Sequence, residues 1–266
     1  MSAKKWLGQH FLVSPSVIKA VEALCSSCSG EAEAVLEIGP GKGAMTGGLL
    51  KLGLPVIAVE KDEELARSLQ ISFPDLDVRV GDAREITLET LIQETDRAPW
   101  LVAGNLPYNV GTKILLECLQ KPRWISALVV MIQREVAQKF CAECGEAGYG
   151  FFSAWSQAFW HAEMKFPVPP GAFRPPPAVV SEVCLFLPKT EPWLDRGEMA
   201  GYWKFLKAAF GHPRKTLAGN LSLVQGSKKR WREDLGGEGL LPGVRADQVP
   251  ARTLCRLYHH AWNRER

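Results

Sequence analysis

Apolar runs separated by helix-like segments, each run ending in a glycine turn or a polar residue, constrain this chain most. Val35-Leu36-Glu37-Ile38 leads into Gly39-Pro40-Gly41-Lys42-Gly43, and Ala44 to Leu52 then reads as a helix. Pro55 to Val59 ends in Glu60, Asp77 to Val80 ends in Gly81-Asp82-Ala83, and Trp100 to Ala103 ends in Gly104-Asn105-Leu106-Pro107-Tyr108. A fifth run, Ala127 to Ile132, precedes a helix starting at Arg134. Strands alternating with helices are the pattern of a parallel α/β sheet. In such sheets ligands bind outside the carboxyl ends of the strands, where these glycines and polar residues stand.

The turn after the first strand is G-x-G-x-G, whereas a dinucleotide site carries G-x-G-x-x-G. A pyrophosphate cradle is therefore not supported. Glycine lets the chain turn tightly and a ligand approach the backbone. Glu60 lies 23 positions after Glu37, about where an acid binds ribose hydroxyls. Asp82 is placed to accept from an adenine amine. A nucleoside without phosphates fits best, and S-adenosylmethionine is the common one.

Pro107 fixes one backbone dihedral and the residue before it is pushed to extended geometry. The loop can thus aim Asn105 and nearby carbonyls at one point with the Tyr108 ring beside it. That suits a flat base bearing an exocyclic amine, although a plain strand end with a β-turn uses the same residue types.

With 266 residues, the chain can form one large or two modest domains. No apolar stretch reaches transmembrane length, and Lys4-Lys5 is followed by no signal-peptide core, so a cytoplasmic protein is expected. The net charge of +3 conceals an asymmetry. Residues 1–195 carry 18 basic and 23 acidic side chains, and residues 196–266 carry 14 and 6. The basic C-terminal part fits a polyanion partner, and a merely solvated surface has the same composition.

Seven cysteines disfavour a disulfide framework. Cys25 with Cys28 and Cys141 with Cys144 have C-x-x-C spacing, but the pairs start 116 positions apart, and no metal is expected. Further strands are expected over Ala162–Val168 and Glu182–Leu187. Between them Pro169 to Pro177 is stiff. It is either a linker or a rigid arm that holds Phe173 near the Asn105 loop. Beyond Pro188–Pro192 the pattern is helical: Met199–Phe210, Thr216–Leu223, Arg230–Leu235 and Ala251–Trp262. Ser16 to Leu24 is also helical by its apolar spacing.

Over nearly its whole length the chain resembles the KsgA-type rRNA adenine N6,N6-dimethyltransferases. The resemblance rests on Gly8-Gln9-His10-Phe11-Leu12, Glu37 to Gly41, Val59-Glu60, Gly81-Asp82-Ala83, Asn105 to Asn109, Gln133 to Val136, Gly148-Tyr149-Gly150, the Pro169–Pro177 arm, and Arg214-Lys215-Thr216 with Asn220-Leu221. It departs at His10, where the family often has Asn, and at Gly211-His212-Pro213, often more basic in relatives.

The resemblance implies a Rossmann-like class I methyltransferase with a seven-stranded sheet over residues 1–190. A smaller all-α domain over 191–266 would dock RNA. Gly39 and Gly41 would pass beneath the methionine moiety, and Glu60 would hold the ribose. Asp82 and the Ala83 N–H would bind the cofactor adenine, and Leu12 and the His10 backbone would close one side. Asn105 and the Leu106 carbonyl would accept from the target amine, Pro107 would stiffen the loop, and Tyr108 and Phe173 would sandwich the base. Arg214, Lys215, Lys228, Lys229, Arg230 and Arg232 are the candidate contacts to RNA phosphates. The implied substrate is a pair of adjacent adenosines near the 3′ end of small-subunit rRNA in the immature subunit, and the enzyme is expected to be a monomer. A large-subunit methyltransferase of the macrolide-resistance type shares the cofactor site. A non-catalytic assembly factor on the same fold would lack the acids at 60 and 82 or the amide at 105, all of which are present.

Overall fold

The computed structural model describes residues 9–86 and 88–263. The segment Lys4 to Gly8, including Gly8 of the Gly-Gln-His-Phe-Leu motif, lies outside the described residues. The chain divides into two compact units, one made of the chain up to Val136 with Glu163–Pro188, the other of Ala137–Ala162 with the chain from Lys189 onward.

In the first unit the elements run β1 (Phe11–Leu12), α1 (Pro15–Cys28), β2 (Ala34–Ile38), α2 (Thr46–Leu50), β3 (Val56–Glu60), α3 (Glu63–Ser72), β4 (Asp77–Val80), α4 (Leu88–Thr95), β5 (Trp100–Asn105), α5 (Gly111–Leu119) and β6 (Ile125–Gln133). After α6 (Arg134–Cys141) and α7 (Phe151–Phe159) come β7 (Trp160–Val168), β8 (Phe173–Arg174) and β9 (Ser181–Pro188). Seven strands form one sheet in the order β4-β3-β2-β5-β6-β9-β7. The pairs β2–β3, β3–β4, β2–β5 and β5–β6 are parallel, and β9 joins β6 antiparallel.

β2 and β3 are buried at every position, as a parallel strand covered on both faces must be. The helices are placed by local chemistry. Asp62 caps α3 by accepting from the Glu64 N–H at 3.1 Å, and Glu63 and Glu64 in the first turn complement the helix dipole. From β2 the chain steps outward to β3 and β4, then returns to β5 on the other side of β2. That reversal opens a crevice at the carboxyl ends of β2 and β5.

The expected strands at 162–168 and 182–187 are both present and somewhat longer. Two elements have no counterpart in the sequence reading, helix α7 and a two-stranded antiparallel ribbon. In the ribbon Phe11 pairs with Arg174 and Leu12 with Phe173. A two-residue strand carries too little periodicity to be seen, and its partner lies far along the chain.

The second unit contains α8 (Met199–Ala209), α9 (Leu217–Leu221), α10 (Lys228–Gly237) and α11 (Ala251–Leu257), followed by a π-helical turn at Tyr258–Trp262. The expected start of this domain at 191 is corrected in one respect: residues 137–162 also belong to it. Aromatic packing is the reason. Phe151 and Trp155 of α7 meet Trp203 of α8 edge-on, at centroid distances of 4.5 and 5.4 Å. The Tyr149 hydroxyl donates to the Val249 carbonyl at 2.7 Å.

Candidate active site

One cleft in the first unit collects the ends of β2, β3, β4 and β5. Its volume is about 1220 Å³ with its open mouth included. Every residue expected to bind the cofactor lines it: His10, Leu12, Gly39, Gly41, Glu60, Asp82, Ala83 and Asn105. Leu106, Pro107 and Tyr108 line it as well.

The floor is the glycine turn. Gly39 and Gly41 have φ of +66° and +60°, a region closed to most side chains. A Cβ at Gly41 would stand 3.1 Å from the Phe11 ring, which packs over the turn with Lys42 4.8 Å from its centroid. Glu60, nearly fully buried, accepts from the Gly41 N–H at 3.0 Å and the Asp62 N–H at 2.9 Å. Burial raises its pKa, and the two backbone bonds oppose that rise. Two carboxylate oxygens offer about four acceptor sites, so capacity for a ribose diol remains.

Asp82 is differently placed. Its carboxylate accepts from the Arg84 backbone N–H, from both arms of the Arg84 guanidinium (2.9 and 2.5 Å) and from Lys61 Nζ (2.9 Å). The Arg84 guanidinium beside it holds the carboxyl well below the usual range. An adenine amine would therefore share Asp82 with two cations, which the sequence reading did not foresee.

The Asn105–Tyr108 loop follows Gly104 near the end of β5, where a Cβ would come within 2.5 Å of the Ile38 carbonyl. Only glycine lets β2 and β5 approach so closely at their ends. The Leu106 N–H donates to the Met131 carbonyl at 3.0 Å, which extends the β5–β6 ladder into the loop. The Asn105 amide nitrogen donates to the His10 carbonyl at 2.9 Å, while Asn105 Oδ1 is buried without a hydrogen-bond partner. The His10 ring lies 5.1 Å from the Tyr108 ring, tilted 32°, and its Nδ1 is 2.9 Å from the Pro175 carbonyl. A carbonyl only accepts, so Nδ1 carries the proton. The Tyr108 hydroxyl bonds the hydroxyl of Ser181, a residue with no solvent exposure.

Phe173 is a correction. Its side chain is fully buried in the core with Leu12, Val168 and Val183, and it does not line the cleft. Its place in the ribbon with Leu12 turns it inward, so the proline arm anchors the cleft wall and the second face of a base sandwich is not formed by this ring. Glu37, one residue before the cleft-lining Ile38, does not itself line the cleft. It is wholly buried, accepts from Thr46 Oγ1 at 2.7 Å, and burial pushes its carboxyl up to about 7.

Of the basic candidates in the second unit, Arg214, Lys215, Lys228, Lys229 and Arg232 are exposed. Arg230 is a second correction. It donates to the Ala261 carbonyl at 3.0 Å, pairs with Asp234 at 3.7 Å and lies against Trp231, so it holds the helices together. The seven cysteines are free, and no cluster suited to a metal ion occurs among the described residues. No helix among them is long and apolar enough to cross a membrane.

Comparisons with known proteins agree with this geometry. A protein of Geobacter sulfurreducens named ribosomal RNA small subunit methyltransferase A is 38% identical over 218 residues, covering 81% of this chain and 78% of that protein. Its namesake in Koribacter versatilis is 36% identical over 272 residues, covering 96% and 93%. The crystal structure of a dimethyladenosine transferase from Plasmodium falciparum superimposes with a TM-score of 0.75 at 21% identity, covering 93% of this chain and 96% of that one. That of the 23S rRNA methyltransferase ErmE gives 0.74 at 23%, covering 94% and 98%. These two likenesses carry the fold alone, a Rossmann-like sheet with helices. The model of the ribosomal RNA adenine dimethylase family matches residues 1–261, and the chain belongs to that family.

Proposed function

We propose that this protein dimethylates N6 of two adjacent adenosines near the 3′ end of small-subunit rRNA, using S-adenosylmethionine. The observation that carries the reading is the convergence of the glycine turn, Glu60, Asp82 and the Asn105–Tyr108 loop on one cleft. The relatives named for the small subunit favour that target over the large subunit, since the likeness to ErmE carries only the fold.

The cleft fits the cofactor on its own features. Two positive-φ glycines form its floor, and a buried acid stands at the end of β3. When bound, S-adenosylmethionine would supply an electrophilic sulfonium methyl, which the adenosine nitrogen would take as the S–C bond breaks and the N–C bond forms. Gly39 and Gly41 would lie under its methionine end, Glu60 would take the ribose hydroxyls, and Asp82 with the Ala83 N–H would take the adenine. Leu12 and the His10 backbone close the side.

On the substrate side, the adenosine leaves its stack to enter the cleft. Its amine is a poor nucleophile because the lone pair is delocalised into the ring. Asn105 Oδ1 and the Leu106 carbonyl accept its two N–H bonds, which favours a pyramidal nitrogen with its lone pair aimed in line. Pro107 keeps that geometry stiff, and Tyr108 stacks on the base. Positioning supplies most of the acceleration. The methylated nitrogen is cationic and acidic, and its proton leaves to water, so the chain needs no strong base. Arg214, Lys215, Lys228, Lys229 and Arg232 bind the RNA backbone. The enzyme acts as a cytoplasmic monomer on the immature small subunit.

The test incubates the protein with labelled S-adenosylmethionine and with small or large subunits lacking these marks, then analyses digested RNA. Dimethyladenosine confined to the small subunit is the expected result. Label confined to the large subunit overturns the choice of substrate, and label on neither overturns the catalytic reading.

A further inference from the structure

Tyr108 has a feature that a stacking ring does not require: its hydroxyl points away from solvent, to a serine buried in the sheet. Ser181 is the first residue of β9, and its backbone is opposite Gln133 at the end of β6. The same strand fixes the catalytic loop. Asn105 lies opposite Met131, and the Leu106 N–H bonds the Met131 carbonyl. Next to Ser181, the Arg134 N–H donates to the Val180 carbonyl at 3.0 Å, locking the start of β9. The loop and the serine are thus both set against β6, two residues apart along it.

Two restraints act on the Tyr108 ring. Ser181 holds its para end, and the His10 ring, fixed by Pro175, leans on it at 5.1 Å. The 5.1 Å separation is too small for a base to enter between the two rings, since two stacking distances of about 3.4 Å would be needed. The base must use the remaining face, where Phe173, being buried, supplies no second aromatic wall. The angle of the Tyr108 ring then sets where the base lies relative to Asn105 and Leu106.

We infer that Ser181 is a positioning residue for methyl transfer: its hydroxyl sets the plane of Tyr108, on which the substrate adenosine stacks. This rests on the methyl-transfer reading above. Ser181 touches neither cofactor nor substrate, so its loss acts on turnover through the tyrosine.

The experiment compares the parent with Ser181→Ala, Tyr108→Phe and the double variant on small subunits lacking the marks, measuring kcat, KM for the subunit and cofactor affinity. Ser181→Ala leaves the strand pairing in place. The expected result is a fall of about tenfold in kcat for either single variant, unchanged cofactor affinity, and a double variant no slower than Tyr108→Phe, because both changes remove one bond. Losses that multiply in the double variant, an unaltered kcat in Ser181→Ala, or parallel losses of cofactor affinity and turnover would each overturn the assignment while leaving the methyl-transfer reading intact. An inactive parent would overturn that reading, and the assignment with it.

Discussion

The Asn105 side chain spends its amide nitrogen on the His10 carbonyl, 2.9 Å away, and leaves Oδ1 buried without a partner. A buried acceptor with no donor is costly unless a ligand completes it. The arrangement also fixes which end of the amide is left for the proposed substrate, since only the nitrogen can donate to a carbonyl. Asn105→Ala is expected to lower single-turnover methylation about 10²–10³-fold, the usual cost of losing one preorganised polar contact to the reacting group. Asn105→Asp is expected to be no better, because a carboxylate cannot donate to His10. Single-turnover rates on small subunits would measure both.

Glu60 holds the Gly41 and Asp62 N–H groups and is the proposed ligand of the ribose. Glu60→Gln keeps the shape and removes the charge. Hydrogen bonds to a charged group are worth about 1.5–3 kcal/mol, so cofactor affinity is expected to fall roughly 10–100-fold. Calorimetric titration with S-adenosylmethionine would check it. An unchanged affinity would remove Glu60 from the ribose site.

Glu37 gives the fold a pH dependence. Burial raises its pKa from 4.5 to about 7 in the native protein. Between these values the folded state binds more protons than the unfolded chain, so this group's contribution to stability declines as pH rises from about 4.5 to 7 and is flat above. The span corresponds to a loss on the order of 3 kcal/mol. Denaturant midpoints measured across that range are expected to show the decline in the parent. They should lack this component in Glu37→Gln.

Lys228 and Lys229 are exposed and Arg230 is committed to Ala261 and Asp234. Replacing either lysine with alanine is expected to weaken RNA binding across sequences and to reduce the salt slope by about one, with stability unchanged. Arg230→Ala is expected to lower the melting temperature instead. Binding at several salt concentrations, paired with thermal unfolding, separates the two.

The strand ends were legible because chemistry and periodicity coincide there. An apolar run that stops at Glu60 or Asn105 announces both a buried strand and a polar residue at its carboxyl end. What pairing at long range decides was hidden. Phe173 reads as a free aromatic between prolines, and only the ribbon with Leu12 shows that it faces inward. Arg230 belongs to a basic run and differs from Lys229 only in what α10 turns it toward. Gly104 gave no signal, since its need for a bare backbone comes from Ile38 on a neighbouring strand. Ser181 is an ordinary serine until Tyr108 is seen to reach it.

The short ribbon also governs when the cleft can exist during synthesis. Phe11 and Leu12 form one of its walls, yet Phe173 and Arg174 must emerge before that wall has a partner, and the His10–Pro175 tie spans 165 positions. A nascent chain that has made β2 to β5 already carries the glycine turn and the acids, but its cleft lacks a closed side. Competence to hold the cofactor is therefore a late event, reached only when most of the chain has left the ribosome.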